Sequence, residues 1–148
     1  MIIITTQCFY PNIGGIEALM TSMAAEIHKV GKDVLVVADG TKDEKDRNKK
    51  YNIKRFNGWK PIRRIKKARY IDQLCNTSNI EAIYADSWKS VEYLKNINVP
   101  IFVLAHGTEI QKNIKILNIY KKFKQKRILS SYKKSKKIIA NSNYTKDL

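Results

Sequence analysis

"MIIITTQCFYPNIGGIEALMTSMAAEIHKVGKDVLVVAD", Met1 to Asp39, decides the fold. Ile2 to Thr5 is a short β-branched run that gives way to a turn-rich segment, the pattern of a buried strand. From Ile16, apolar residues recur at helical spacing: Ile16, Leu19, Met20, Met23, Ala24, Ile27 and Val30. Gly31 stops that helix where a left-handed residue is wanted. "DVLVVAD" is then a second continuous apolar strand. Strand, helix, strand in one short stretch is a βαβ unit, which implies a parallel sheet and a right-handed crossover.

The rest of the chain repeats the alternation. "GTKDEKDRNKK" reads as a charged, mobile loop without core residues, and "YNIKRF" as a third strand. Pro61 stands where a helix can begin, with Ile62, Ile65, Ala68 and Ile71/Leu74 on one face. "EAIYAD" is a fourth strand, "SWKSVEYLKNIN" a short helix and "IFVLAH" a fifth strand. A long basic helical stretch follows, then "KKIIAN" as a sixth strand. "SNYTKDL" reads as the first turn of another helix, capped by Ser142 with Asp147 near its positive end. The expectation is one α/β domain over residues 1–148, an open doubly wound parallel sheet of Rossmann-like type. The sequence stops as that helix starts, so a longer protein is expected.

Composition narrows the function classes. At 148 residues, with 43% hydrophobic and 28% charged residues, the chain is globular and long enough for a real core. No apolar run reaches the roughly 18–20 residues that cross a bilayer, and the start lacks the basic flank of a signal peptide. A cytoplasmic protein is expected. Cys8 and Cys75 form no CxxC pair and read as two buried, reduced thiols. The balance of 29 Lys+Arg against 13 Asp+Glu, a net +16, invites a polyanion as partner. AT-rich codons for Lys, Asn and Ile are a competing reading of the total, but they do not explain its placement. From Gln111 to Lys137 there are eleven basic residues and no acid; Lys60 to Arg69 adds six more. Ile114, Leu117, Tyr120, Phe123 and Ile128 keep the longer stretch amphipathic. It reads either as a solvated face or as an attachment to an anionic membrane. Nucleic acid ranks behind both, since no helix-turn-helix, zinc finger or aromatic RNP-like strand is present.

In a doubly wound sheet, ligands bind outside the carboxyl ends of the strands. The segments there are "QCFYPNIGGIE", "DSWKS", "HGTE" and "NSNYT". Gly14 and Gly15 precede a helix, where missing side chains let an anion approach free N–H groups. Their spacing is neither GxGxxG nor a P-loop. Glu17 can serve the helix dipole or meet a ligand. His106 ends a buried strand and is followed by Gly107, Thr108 and Glu109, whereas His28 lies on the polar side of its helix. No second His or Cys stands at metal-ligand spacing, and no serine sits in a GxSxG elbow.

Four of these stretches together are similar to a known family. "FYPNIGGIEALMTSMAAEIHKVGKDVLVVA", "YADSWKS", "AHGTE" and "IIANSNYTKDL" resemble successive stations of the family-4 retaining glycosyltransferases, which have the two-domain GT-B architecture. The resemblance spans nearly the whole chain. One departure is Gly31-Lys32, where members often carry Gly-His. It implies the N-terminal, acceptor-binding domain of a hexosyltransferase that moves a sugar, with retention, from a UDP- or GDP-linked donor. The implied acceptor is a glycan or lipid-linked saccharide of the cell envelope. Gly14 and Gly15 would lie against the donor diphosphate and the acceptor, and His106 would face the donor sugar near the reacting carbon. Asn141, Ser142 and Gly107 would line the cleft; Glu17, Asp86, Ser87 and Glu109 are candidates for acceptor hydroxyls. No metal and no cofactor beyond the nucleotide sugar is implied. The nucleotide itself would be held by a C-terminal domain, absent from these 148 residues, and attachment to the inner face of the membrane stays open. The alternative is a non-enzymatic α/β module that binds a polyanion through its basic face.

Overall fold

A computed structural model of the chain describes residues 1–95, 97–107 and 119–146. Six strands, β1 (Ile2–Thr6), β2 (Val34–Asp39), β3 (Asn52–Phe56), β4 (Ala82–Ala85), β5 (Ile101–Ala105) and β6 (Lys137–Ala140), form a single sheet. Its order is β3-β2-β1-β4-β5-β6, and every pairing is parallel. The chain runs outward one way through β2 and β3, then returns to pair β4 on the other side of β1. That reversal leaves a crevice between the carboxyl ends of β1 and β4.

The helices are α1 (Gly15–Lys29), α2 (Lys60–Thr77), α3 (Trp88–Val91), α4 (Ile119–Tyr132) and α5 (Asn143–Lys146). β1 is buried at all five positions, as a central parallel strand covered on both faces must be. Its side chains alternate between two cores. Ile3 packs with Val37, Ile71, Ile83, Val103 and Ile128 under α2, α3 and α4. Ile4 packs with Phe9, Met20, Ala24 and Val36 under α1. β6 is less covered: Ile138 and Ile139, neighbours that point to opposite faces, are 50% and 40% exposed.

The structure changes several local expectations. Leu19, Val30 and Ile62 are exposed, because the buried stripes of α1 and α2 are narrower than their apolar residues suggest. The helix after β4 closes after one turn at Val91. "GTKDEKDRNKK" is not a featureless loop. Glu44–Asn48 form a 3₁₀ turn with a capping box between Asp43 and Asp46. Arg55 grips it from β3: its Nε and one terminal nitrogen meet the two Asp46 oxygens at 2.6 and 2.7 Å. Burial raises the Asp46 carboxyl pKa, but the Arg55 guanidinium outweighs it and holds the group below its ordinary value. The same guanidinium donates to the carbonyl of Tyr10. The two cysteines are free thiols, half-buried rather than buried.

The basic stretches are not uniform charged faces either. In α2, Lys67 is 3% exposed and donates to Thr6 O at 2.6 Å and Asp39 Oδ1 at 2.8 Å. Arg63 meets the other Asp39 oxygen at 2.8 Å. In the C-terminal stretch, Arg127 pairs with Glu92, and Lys134 donates to Glu92 O and Leu94 O at 2.6 and 2.9 Å. Burial lowers the Lys134 pKa, against the raising influence of Asp72 and Glu92. These cations tie helix α2, the turn after α3 and the sheet together.

Candidate active site

Asp86 builds the centre of the crevice. It is 2% exposed, too deep to remain charged without several donors. Its Oδ2 accepts from Thr6 Oγ1 at 2.9 Å and from the Gln7 N–H at 2.7 Å. Oδ1 accepts from Ser90 Oγ at 2.6 Å and Ser87 Oγ at 3.2 Å. The carboxylate therefore staples the end of β1 to the start of α3. Ser87 spends its hydroxyl on the same staple.

His106 reaches this staple from the next strand. Its Nε2 lies 2.6 Å from the backbone oxygen of Asp86. A carbonyl only accepts, so Nε2 carries a proton and donates this bond. Gly107, at φ 80°, then turns the chain away through left-handed backbone that a side chain would strain. Asn141 bonds its N–H to Ala105 O at 3.2 Å, which brings the turn after β6 beside the residue that precedes His106. Ser142 Oγ accepts from the Thr145 N–H at 3.1 Å, the capping bond expected of it. Glu109, Ile114, Leu117 and Asp147 lie outside the described residues.

Gln7, Cys8, Asp86, Trp88, His106 and Lys124 are among the walls of a cavity of about 250 Å³ at this crevice; Ile16, Ser87 and Lys89 complete it. Of the residues singled out in the sequence, the structure brings Asp86, Ser87 and His106 together. Gly14 and Gly15 stand one step outside, with their neighbour Ile16 on the wall. Neither glycine is in the left-handed region: Gly14 is extended at φ 178°, and Gly15 opens α1. Space, not backbone conformation, distinguishes them. A Cβ on Gly15 would meet nothing within 4 Å, whereas one on Gly14 would fall 2.3 Å from Glu17 Oε2. Glu17 thus folds back over the helix start.

The cavity has an asymmetric electrostatic character. Asp86 is satisfied by its four donors, while Lys89 and Lys124 bring positive charge to the wall. Cys8 is no nucleophile at neutral pH: burial first, then the charges of Asp86 and Glu17, push its thiol up to about 11. Gln7, Trp88, Lys89 and Lys124 were missed in the sequence. The first three lie in the strand-end segments "QCFYPNIGGIE" and "DSWKS" without being singled out there, and Lys124 comes from a helix face. Among the described residues no three His, Cys, Asp or Glu side chains converge as metal ligands would.

An all-parallel sheet with this strand order and a cationic crevice at its switch point fits a domain that handles an anionic, group-bearing ligand. Comparison with known proteins adds one finding. A family model described as Glycosyltransferase Family 4 matches residues 13–148. No curated protein matches the chain.

Proposed function

The chain belongs to glycosyltransferase family 4, and from that premise we propose that it is the acceptor-side domain of a retaining hexosyltransferase with a UDP- or GDP-sugar donor. The observation that carries this reading is the juxtaposition, at one sheet crevice, of His106 with Lys89 and Lys124. Bond cleavage at the anomeric carbon leaves positive charge on the sugar and negative charge on the departing diphosphate. Fixed groups aimed at those charges lower the barrier without reorganising. The two lysines suit the diphosphate, and the imidazole of His106, on the same wall, suits the sugar. Asp86 acts on the reaction through His106 and the β1 loop, as a positioning residue. The nucleotide is left to a second domain across the cleft. A glycan or lipid-linked acceptor then approaches from the side of Gly15, where space is open.

The test is an assay of hexose transfer from UDP- and GDP-hexoses to lipid and glycan extracts. Residues 1–148 alone are expected to give no turnover. The protein completed by a nucleotide-binding domain is expected to transfer hexose with the donor's anomeric configuration. Inverted product would overturn the reading, and so would sustained turnover by this chain alone.

A specific observation favours work at a membrane surface. Ile128 of α4 is buried, but Tyr120 and Phe123 are not: Ile119, Tyr120 and Phe123 are 76%, 74% and 66% exposed. Ile119 and Phe123 lie one helical turn apart, opposite the buried Gln125, Ile128 and Tyr132, with Lys122, Lys126 and Lys133 on the same outer side. Exposed rings among lysines suit the headgroup region of an anionic bilayer. No described helix is long and apolar enough to cross one. At about 1 kcal/mol per basic residue near the surface, Lys122→Glu, Lys126→Glu and Lys133→Glu together are expected to weaken binding to phosphatidylglycerol vesicles at least ~100-fold. Equal co-sedimentation of variant and parent would remove the membrane from the reading.

A further inference from the structure

A second cavity, of about 560 Å³, lies away from the crevice. Its walls include His28 and Lys29 from the end of α1, and Asn48, Lys49, Lys50 and Tyr51 from the approach to β3. α1 runs antiparallel to the strands, so its last turn and the residues before β3 stand at the amino ends of the sheet. The crevice of Asp86 and His106 is at the carboxyl ends.

Three features of this cavity belong together. Three lysines and a histidine line it, and no acid does. Of the acids close by, Asp46 is held by Arg55, Glu26 meets Lys29 at 3.7 Å on the surface, and Asp43 and Glu44 line the adjoining cavity. Tyr51 walls both this cavity and an adjoining one of about 450 Å³. It is 8% exposed, and its buried hydroxyl has no hydrogen-bond partner among the described residues. A buried donor without a partner costs about 1–3 kcal/mol, and such a group in a native fold calls for an explanation. Burial, and then the charge of Asp46, raise the phenol's pKa, so the group is a neutral O–H donor at physiological pH. The ring of His28 stands edge-on to it at 6.3 Å.

We infer that this cavity binds a small multivalent phosphate anion, held by Lys29, Lys49 and Lys50 and steadied by Tyr51. The site is separate from the reaction crevice and does not depend on the proposed transfer reaction. It is nevertheless connected to the loop before α1. The Lys49 ammonium lies over the Tyr10 ring, 4.2 Å from its centroid. An anion drawing Lys49 into the cavity takes that cation off Tyr10, four residues before Gly14. Occupancy of the amino-end site thereby reaches the loop that carries Gly14 and Gly15.

The experiment is a pyrophosphate titration of the chain followed by residue-resolved ¹H–¹⁵N NMR, at ionic strength held constant with sodium chloride. Saturable shifts are expected at the amides of His28, Asn48, Lys49 and Lys50, with Tyr10 moving on the same curve. Lys29→Gln, Lys49→Gln and Lys50→Gln together should raise the dissociation constant at least tenfold. Tyr51→Phe, which keeps the ring and removes only the unpartnered hydroxyl, should raise it several-fold. Shifts that do not saturate, that are confined to residues 14–17 and 86–89, or that survive the triple substitution unchanged would each overturn the site. Pyrophosphate binding at the crevice gives a separate set of peaks, so the two locations are resolved in one titration.

Discussion

Asp86→Ala is expected to destabilise the domain by about 3 kcal/mol or more, read as a lowered urea midpoint at an unchanged slope. The substitution removes an acceptor, not merely a contact. The Gln7 N–H, half-buried at the crevice, and the buried Ser90 hydroxyl each lose a bond. Thr6 Oγ1 fares better, since it also lies 2.6 Å from Cys8 O. One buried and one half-buried donor, each left without its partner at about 1–3 kcal/mol, set the magnitude. Asp86→Asn should recover part of the loss, because it keeps acceptor capacity without the charge. A loss under about 1 kcal/mol for Asp86→Ala would mean that the β1 and β4 ends hold together without this carboxylate.

His106→Ala, made in the transfer-competent protein, is expected to lower kcat by about a hundredfold or more with little change in KM for the donor. The histidine is positioned by its Nε2–H bond to Asp86 O, and it stands where three strand ends converge. A group held ready for the transition state costs kcat when lost, whereas a group that merely fills space costs stability. The thermal midpoint of the variant therefore accompanies the kinetics. Unchanged kcat/KM would remove His106 from the chemistry, whatever its bond to Asp86.

The fold was legible because its signal is local and repeated. Each buried parallel strand reads as a short β-branched run, and "MIIITT", "DVLVVAD" and "IFVLAH" need no partner to be recognised. Strand ends were legible for the same reason, which is how His106, Asp86 and Ser87 came to attention. What those side chains do depends on partners far away in sequence. Asp86 reads as a group for acceptor hydroxyls until Thr6 and Gln7 are seen to occupy it from eighty residues upstream. Lys67 reads as one charge among six, yet Asp39 and the carbonyl of Thr6 turn it inward. Tyr120 and Phe123 satisfied a helical apolar pattern, but the helix buries a different side. Periodicity finds a stripe; it does not say which stripe meets the sheet.

The strand order also sets a timetable for assembly. β1 is made first yet lies in the middle, paired to β2 on one side and β4 on the other. The β2 side can close as soon as α1 and β2 have been synthesised. The β4 side must wait while about forty more residues emerge, roughly 2–8 s at ordinary elongation rates. During that interval Ile3 and Ile4, fully buried in the finished protein, border an unpaired backbone edge. Helix α2, amphipathic and already complete, is the one element made in that interval that can shelter Ile3's face. Were β1 and β2 to pair before β4 emerges, the exposed edge of that half-sheet would be the future centre of the domain, the stage at which a ribosome-bound chaperone would have most to protect.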